Sequence, residues 1–337
     1  AYILQQITEL AQQEKPDALV IAGDIYDKAV PSAEAVSLFD SFIGTLAQRL
    51  PDMVIMLISG NHDSAPRINC FRNVLSRQKI YMVGLPPQTQ EEFIEKVTVS
   101  DAYGAMNFYL LPFVKPSMVK QIVGVDENGN NLSYDETLHR LLDRETIDQT
   151  QRNILVSHQF YLPAGRSAED VERMDSELRT VGNIDNVTAD MLEVFDYVAL
   201  GHIHKPMKVG SEYIRYSGTP IACSVSEAGQ QKGVIEVDLE QKGAVHTRVL
   251  PLHPLRQIRV IRGTLEEVLK QACADYVTVI LTDKVDRDVF DMQDRLREAF
   301  PYLLEIRRES VQQAEYGRHF QQEEQMNPFE LCCAFLD

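Results

Sequence analysis

The hydrophobic residues alternate between short unbroken runs and longer stretches with helical spacing. Each of four runs is followed at once by a polar cluster, and these runs are Ala18 to Ala22, Met53 to Ile58, Asn153 to Val156 and Tyr197 to Leu200. Unbroken apolar runs of this length are typical of strands buried on both faces. Residues 1–14 and 32–50 have apolar positions at helical spacing. The pattern predicts an α/β fold, with a parallel or mixed sheet between helices.

The pattern changes after residue 210. Three short runs there predict antiparallel strands at Glu212 to Tyr216, Gly233 to Leu239 and Ala244 to Leu250. Two prolines, Pro251 and Pro254, then mark a boundary. The order strand, helix, strand, helix, strand follows in Gln257 to Ile261, Leu265 to Ala274, Val277 to Leu281, Val289 to Ala299 and Leu303 to Arg307. We therefore predict a large domain over 1–252, a small α/β domain over 253–308 and a tail over 309–337.

Charge and composition limit the class of protein. The 337 residues carry a formal net charge of −17, which argues against a protein that coats nucleic acid over its whole surface. A local basic patch remains open, because 253–308 holds ten Lys or Arg and ten Asp or Glu residues. No apolar run approaches the roughly 20 residues of a membrane span. The five cysteines form no CxxC pair and predict reduced thiols in a cytoplasmic protein.

The polar clusters that follow the strands contain residues with metal-binding side chains. They read GDIYD, GNHD, SHQF and GHIH, and their candidate residues are Asp24, Asp27, Asn61, His62, His158, His202 and His204. Ligands of open α/β sheets bind beyond the carboxyl ends of the strands, where these clusters should meet. Carboxylate, amide and imidazole groups together suit manganese, iron or zinc. A carboxylate that bridges two such ions, together with a free histidine beside them, can catalyse phosphoester hydrolysis.

Each motif also has a structural interpretation when taken alone. GDxxD can be a turn with a capping aspartate, and GNHD can be an ordinary turn. A single histidine such as His158 is more often a hydrogen-bonded core residue than a ligand. The four motifs together, in this order and at strand ends, favour the metal site.

This set of motifs resembles the calcineurin-like metallophosphoesterase superfamily. The segments FDYVALGHIHKP (Phe195 to Pro206) and YSGTP (Tyr216 to Pro220), with the small α/β domain after them, resemble the SbcD-type DNA nucleases within it. The resemblance covers nearly the whole chain. It implies a sandwich of mixed sheets flanked by helices, with a small α/β capping domain.

The resemblance also implies roles for individual residues. Asp24 would bridge two divalent ions, with manganese expected and iron or zinc as alternatives. The other ligands of one ion would be Asn61, His158 and His202, while His204 would bind the second ion. His62 would contact the scissile phosphate and help the leaving group to depart. Asp27 matches a position behind the ligands, although a loop or helix-cap carboxylate is an equal interpretation.

One feature of the family pattern is missing. The family begins with a strand that ends in D-x-H, which supplies one aspartate and one histidine to the first ion. No D-x-H precedes Asp24, so the chain as written completes only one of the two metal sites. We expect that the first strand has been left out, because a sheet without it would expose a long unpaired edge. A one-metal or inactive relative is the alternative.

The resemblance implies macromolecular partners as well. The small domain would help to orient double-stranded DNA, and Arg256, Arg259 and Arg262 recur every third residue near its first strand. A solvated face of mixed charge is the competing interpretation. The tail over 309–337 would begin a segment that binds an SbcC-type ATPase subunit, and the family pattern suggests a homodimer.

Two classes of function follow. The first is a manganese-dependent DNA nuclease with 3′-to-5′ exonuclease and endonuclease activity, acting with an ATPase in double-strand-break and hairpin processing. A phosphodiesterase or nucleotidase for small molecules is its alternative among enzymes. A non-catalytic scaffold that binds DNA and the ATPase is the alternative from another class.

Overall fold

The structure, a computed structural model, describes residues 1–163, 165–166, 177, 185–283 and 289–309. The chain divides into two compact units, residues 1–255 and 256–337. The helices and strands of the first unit are α1 Tyr2–Glu14, β1 Ala18–Ala22, α2 Ala33–Arg49, β2 Val54–Ile58, α3 Ala65–Ile68, α4 Arg72–Leu75, β3 Ile80–Val83, β4 Glu95–Asp101, β5 Gly104–Leu111, α5 Pro116–Val123, α6 Tyr134–Leu142, β6 Arg152–His158, β7 Phe160–Leu162, β8 Asn186–Thr188, β9 Tyr197–Gly201, β10 Met207–Val209, β11 Ser211–Tyr216, β12 Gly233–Leu239 and β13 Val245–Pro251.

Two main sheets lie face to face in the first unit. One is parallel, in the order β1-β2-β3, and the other is mixed, in the order β10-β11-β9-β6-β5-β4. Apolar residues from both sheets form one shared cluster, to which β2 contributes Met56 and Ile58 and β6 contributes Ile154 and Val156. This sandwich confirms the predicted α/β fold class, although only one of its two sheets is mixed and the described strands of the other are all parallel.

The outer faces of the two sheets are covered by helices. Ile55 of β2 packs with Leu46 of α2 and Ala11 of α1. On the far side, Leu155 of β6 belongs to a cluster with Leu138 of α6. Successive side chains of a strand point to opposite faces, so β2 and the central residues Ile154 to Val156 of β6 are apolar at every position. This explains the unbroken runs in the sequence.

Some strands pair differently from the prediction. β11 was expected to be antiparallel, but it pairs in parallel with β9 and antiparallel only with the short β10. The difference arises because β11 continues the main sheet, whereas β12 and β13 form a separate antiparallel pair. Among the described strands, β1 lies at the edge of its sheet, and all five of its residues stay partly exposed. No described helix has both the length and the apolar character needed to cross a bilayer.

The second unit is a small three-stranded parallel sheet with helices. Its elements are β14 Ile258–Gly263, α7 Leu265–Leu269, β15 Tyr276–Leu281, α8 Val289–Ala299 and β16 Tyr302–Arg308. The order along the sheet is β14-β15-β16, and Val277, Val279 and Phe300 lie in its buried core. The predicted boundary after residue 252 lies three residues from the start of this unit at Arg256.

Candidate metal centre

The carboxyl ends of four strands bring the predicted ligands together. Asp24 follows β1, Asn61 follows β2, His158 ends β6 and His202 follows β9. These four residues come from both main sheets, and we call them the strand-end cluster. The cluster therefore forms only where the two sheets meet at one edge.

Glycines allow the strand ends to approach this closely. A Cβ atom on Gly60 would overlap the carboxylate and backbone nitrogen of Asp24. A Cβ atom on Gly201 would overlap the carbonyl oxygen of Ala22, at the end of the opposite sheet. Steric overlap thus explains why glycine, which has no Cβ atom, precedes Asn61 in GNHD and His202 in GHIH.

The polar atoms of the cluster converge at hydrogen-bond distances. Asn61 Oδ1 lies 3.0 Å from His158 Nε2 and 3.0 Å from His202 Nδ1. Asp24 Oδ2 lies 3.2 Å from the same His158 Nε2. Neighbouring ligand atoms of an octahedral ion with bonds of about 2.1 Å lie about 3 Å apart. The spacing of the cluster therefore suits a divalent ion.

The protonation of His158 gives a second test of this fit. Its Nδ1 lies 2.7 Å from the carbonyl oxygen of Ala22, which can only accept, so Nδ1 donates and Nε2 of the neutral ring carries a lone pair. Nε2 then faces two oxygens, from Asn61 and Asp24, that are also acceptors. Only a positive charge reconciles three acceptors that meet this closely, either a proton or a metal ion.

The same need for a positive charge appears in the pKa values. Burial alone would raise the pKa of Asp24, but the charge and hydrogen bond of His158, with the backbone N–H of His62, lower it to about 2. Burial would lower the pKa of His158, but the charge and hydrogen bond of Asp24 outweigh it, and the pKa is raised. Asp24 is therefore ionised at neutral pH, as a metal ligand must be.

Two cluster residues have unusual backbone conformations. Asp24 has φ 48° and His202 has φ 100°, both in the left-handed region that side chains disfavour. The ring of Phe113 stacks on the His202 ring at 6.4 Å between centroids, with 14° between the planes. Strained residues that are held by packing are common at functional sites.

His62 lies beside the cluster, and its Nδ1 contacts a backbone oxygen. The distance from His62 Nε2 to Asp24 Oδ2 is 4.0 Å, and the His62 backbone N–H donates to Asp24 Oδ1 at 3.0 Å. Its Nδ1 lies 3.0 Å from the carbonyl oxygen of Asp27. The Asp27 backbone therefore supports His62, while its side chain is exposed. The sequence prediction placed Asp27 behind the ligands but did not distinguish these two groups.

The described contacts of His204 are with residues outside the strand-end cluster. Its Nδ1 is 3.2 Å from Glu227 Oε1, and its backbone N–H donates to Glu177 at 2.8 Å. Its carbonyl oxygen accepts from the backbone N–H of Thr219 at 3.1 Å. The YSGTP segment thus contacts His204 through Thr219. The role of His204 as a ligand stays a prediction.

Sequence reasoning missed Asp63, which joins the first two loops of the site. Its carboxylate accepts backbone N–H bonds from Ile25 at 3.0 Å, Tyr26 at 2.9 Å and Gly60 at 2.9 Å. Burial and the nearby charge of Asp24 raise the pKa of Asp63, against the three N–H bonds, which lower it. Asp63 stands inside the GNHD motif, so the signal was present but was assigned only to Asn61 and His62.

The three arginines predicted to contact DNA already have partners within their unit. The guanidinium of Arg256 lies 4.0 Å from the centre of the Tyr302 ring, and Arg259 lies 3.7 Å from an Asp275 oxygen. Nη2 of Arg262 donates to both carboxylate oxygens of Glu309, to Oε1 at 2.5 Å and to Oε2 at 2.6 Å. Residues three apart on a strand point to opposite faces, so Arg259 and Arg262 do not form one basic stripe. Their contact with DNA stays a prediction.

Comparisons with known proteins agree with this geometry. Residues 1–206 match the family model described as calcineurin-like phosphoesterase. The chain belongs to this family. Residues 253–337 match a model described as type 5 capsule protein repressor C-terminal domain. The chain is also 29% identical, over 312 residues, to the SbcD subunit of the nuclease SbcCD from Staphylococcus epidermidis (strain ATCC 12228 / FDA PCI 1200), covering 90% of this chain and 78% of that protein.

These matches confirm the resemblance on which the sequence predictions were based, and with it a hydrolase of ester bonds. They extend over the tail, where the predicted ATPase-binding segment lies almost wholly outside the described residues, which end at residue 309.

Proposed function

We propose that the chain is the nuclease subunit of an SbcCD-type complex and hydrolyses phosphodiester bonds of DNA with divalent metal ions. The observation that carries this proposal is the strand-end cluster, whose acceptor atoms converge at about 3 Å with His62 alongside. The likeness to a protein named as a subunit of the nuclease SbcCD supports DNA as the substrate.

The site residues divide into two groups. Asp24, Asn61, His158 and His202 would hold one ion, and Asp24 and His204 would contribute to a second. Bound ions of this kind lower the pKa of a coordinated water and stabilise the charge that develops on a phosphoryl group. Manganese is the ion we propose, with iron and zinc suited to the same donors.

His62 is the proposed general acid. The Asp27 carbonyl oxygen accepts from its Nδ1, which fixes the ring and leaves Nε2 as the nitrogen nearest to Asp24. A proton on Nε2 can pass to the departing oxygen of the DNA strand. His158 and His202 are proposed as metal ligands, so we assign this step to His62 among the histidines at the cluster.

The finer parts of the proposal concern substrate and partners. We propose 3′-to-5′ exonuclease activity on duplex ends together with endonuclease cuts, in a cytoplasmic homodimer with an SbcC-type ATPase. The second unit would help to position DNA, and the tail after residue 309 would bind the ATPase.

The experiment is cleavage of end-labelled linear duplex DNA by the full-length protein with Mn²⁺, alone and with the ATPase subunit. His62→Ala is compared with His139→Ala, a partly exposed histidine on α6 that pairs with Asp190 at 3.4 Å. Loss of the acid should slow cleavage by about 10²- to 10⁴-fold. The His139 variant should cleave like the parent.

Each alternative predicts a different result. Hydrolysis of bis(p-nitrophenyl) phosphate without DNA cleavage, with or without the ATPase, would favour a phosphodiesterase for small molecules. Bound DNA without hydrolysis of either substrate would favour a scaffold. Loss of metal in His62→Ala would make His62 a ligand or a structural residue and would contradict its role as the acid.

A further inference from the structure

A buried ion pair lies behind His204, and the proposed reaction does not use it. Glu227 is fully buried, and its Oε2 lies 2.6 Å from the Nζ of Lys232, which is also buried. Lys232 Nζ donates as well to the carbonyl oxygen of His204 at 2.9 Å and to Gln230 at 2.9 Å. Burying two charges is costly unless their hydrogen bonds are satisfied, which gives reason to ask what this pair does.

The other oxygen of Glu227 contacts the imidazole of His204. Oε1 lies 3.2 Å from His204 Nδ1 and also accepts the backbone N–H of Cys223 at 3.3 Å. Both Glu227 oxygens accept hydrogen bonds, Oε1 from the Cys223 N–H and Oε2 from Lys232 Nζ, so Nδ1 of His204 carries the hydrogen of this contact. The lone pair of the neutral ring is then on Nε2.

Two other site histidines are held in the same way. Nδ1 of His158 lies 2.7 Å from the Ala22 carbonyl, and Nδ1 of His62 lies 3.0 Å from the Asp27 carbonyl. His204 differs because its acceptor is a side chain, which a substitution can change without altering the backbone. Acceptors of this kind behind a metal-binding histidine fix its tautomer and its orientation.

A metal ion among these groups is a competing explanation. His204 Nδ1, Cys223 Sγ and a Glu227 oxygen all lie within 4.8 Å of one another. However, the ammonium group of Lys232 already supplies a positive charge to this carboxylate at 2.6 Å. A second cation would have to bind against that charge.

We propose that Glu227 is a positioning residue that holds His204 in the tautomer with hydrogen on Nδ1, so that the lone pair on Nε2 can bind a metal ion. Lys232 holds Oε2 of Glu227, so that Oε1 stays turned toward His204. This inference rests on the proposed function of His204 as a ligand of the second ion.

Glu227→Gln tests the idea with almost no change of shape. The amide oxygen should turn to Lys232, because a charged donor at 2.6 Å makes a stronger bond than the neutral Cys223 N–H at 3.3 Å. The amide NH₂ then faces His204 Nδ1 and forces the hydrogen onto Nε2. In ¹⁵N spectra of histidine-labelled, EDTA-treated protein, the His204 tautomer should invert while the His158 signals stay unchanged.

Metal binding gives a second readout that does not depend on activity. Equilibrium dialysis with Mn²⁺ should show that affinity at the weaker site falls by about 10- to 100-fold in Glu227→Gln. Glu227→Gln/Lys232→Met removes the charged donor, so the amide can turn its oxygen back to His204. The double variant should recover the Nδ1–H tautomer and most of the affinity, whereas a merely structural pair would make it no better than the single variant.

The parent protein decides the matter if Glu227→Gln does not fold. A parent spectrum with hydrogen on Nε2 of His204 would overturn the proposal, as would an unchanged tautomer and unchanged affinity in Glu227→Gln. The proposed nuclease function fails by a different measurement, absence of DNA cleavage by the parent, which leaves the tautomer result standing.

Discussion

The strand-end cluster and the three arginines of the second unit differ in whether neighbouring residues satisfy their polar and charged groups. In the cluster, the acceptor atoms of Asp24, Asn61 and His158 meet with a positive charge still required. In the second unit, Arg259 and Arg262 each have a carboxylate partner. A charged residue in the sequence therefore does not by itself indicate a charge that is left for a ligand. A site is better recognised by groups that do not satisfy one another.

Removing a side chain of the strand-end cluster should have the largest effect on metal binding and hydrolysis. His158→Ala should abolish tight metal binding and reduce hydrolysis by more than about 10³-fold, because the ions supply several kcal/mol of charge stabilisation. Metal content and hydrolysis of bis(p-nitrophenyl) phosphate would be measured together. His246→Ala, an exposed histidine on β13, is the matched control. Retention of full metal content by His158→Ala would contradict the proposed role of the cluster, because metal binding would then not need its central imidazole.

Adding one methyl group where the loops approach should come next. Gly60→Ala should lower the free energy of unfolding by roughly 2 to 4 kcal/mol, because the new Cβ overlaps Asp24 and the loop must move. Gly44→Ala is its control in the middle of α2, where a Cβ meets nothing within 4 Å. The control should instead raise stability by about 0.5 to 1 kcal/mol. Denaturant unfolding of both variants measures the difference, and equal effects would refute the steric argument.

The carboxylate that joins the loops should matter less for stability than the glycine. Asp63→Ala removes the acceptor of three backbone N–H groups and should cost about 1.5 to 3 kcal/mol, with weaker metal binding. Asp27→Ala keeps the backbone carbonyl that contacts His62 and should retain metal binding and nearly full activity. A larger loss in Asp27→Ala than in Asp63→Ala would mean that the Asp27 side chain, and not its backbone, supports the site.

The arginines should give the smallest effect. Arg262→Ala should change DNA affinity by less than about fivefold, because its guanidinium already donates to the Glu309 carboxylate. Glu309→Gln should strengthen DNA binding slightly, since it releases Arg262. Fluorescence anisotropy with labelled duplex DNA at two salt concentrations measures both. A much larger loss in Arg262→Ala, with a smaller salt dependence, would restore the arginine as a phosphate contact.

The sequence predicted the elements that carry the site because its strongest signals are local. The runs at β1, β2 and β9 agree with the observed strands to within a residue, and the structure brings the candidate residues that follow them, Asp24, Asn61 and His202, into one cluster. The predicted helix over Val289 to Ala299 matches α8. Burial on both faces leaves a continuous signal that needs no knowledge of the partners.

The pairing of the strands and the contacts that support the site residues could not be predicted, since they depend on residues distant in sequence. The parallel pairing of β11 with β9 and the β4–β5 hairpin leave no mark in local periodicity. Arg152 is buried and bonds to Asp101 and to the carbonyl of Leu239, which no pattern near residue 152 indicates. Glu227 likewise looks like one more acidic residue until the fold places His204 and Lys232 beside it.

The contact between the ends of β1 and β9 has a consequence for the timing of synthesis. The Ala22 carbonyl and Gly201 abut, so this contact of the first loop cannot form until residue 201 has left the ribosome. At an elongation rate of about 20 residues per second, the interval between the two segments is roughly 10 s. During that time the chain has Asp24 but not His202, and the strand-end cluster is incomplete. The cluster is thus completed late, when β9 joins its sheet.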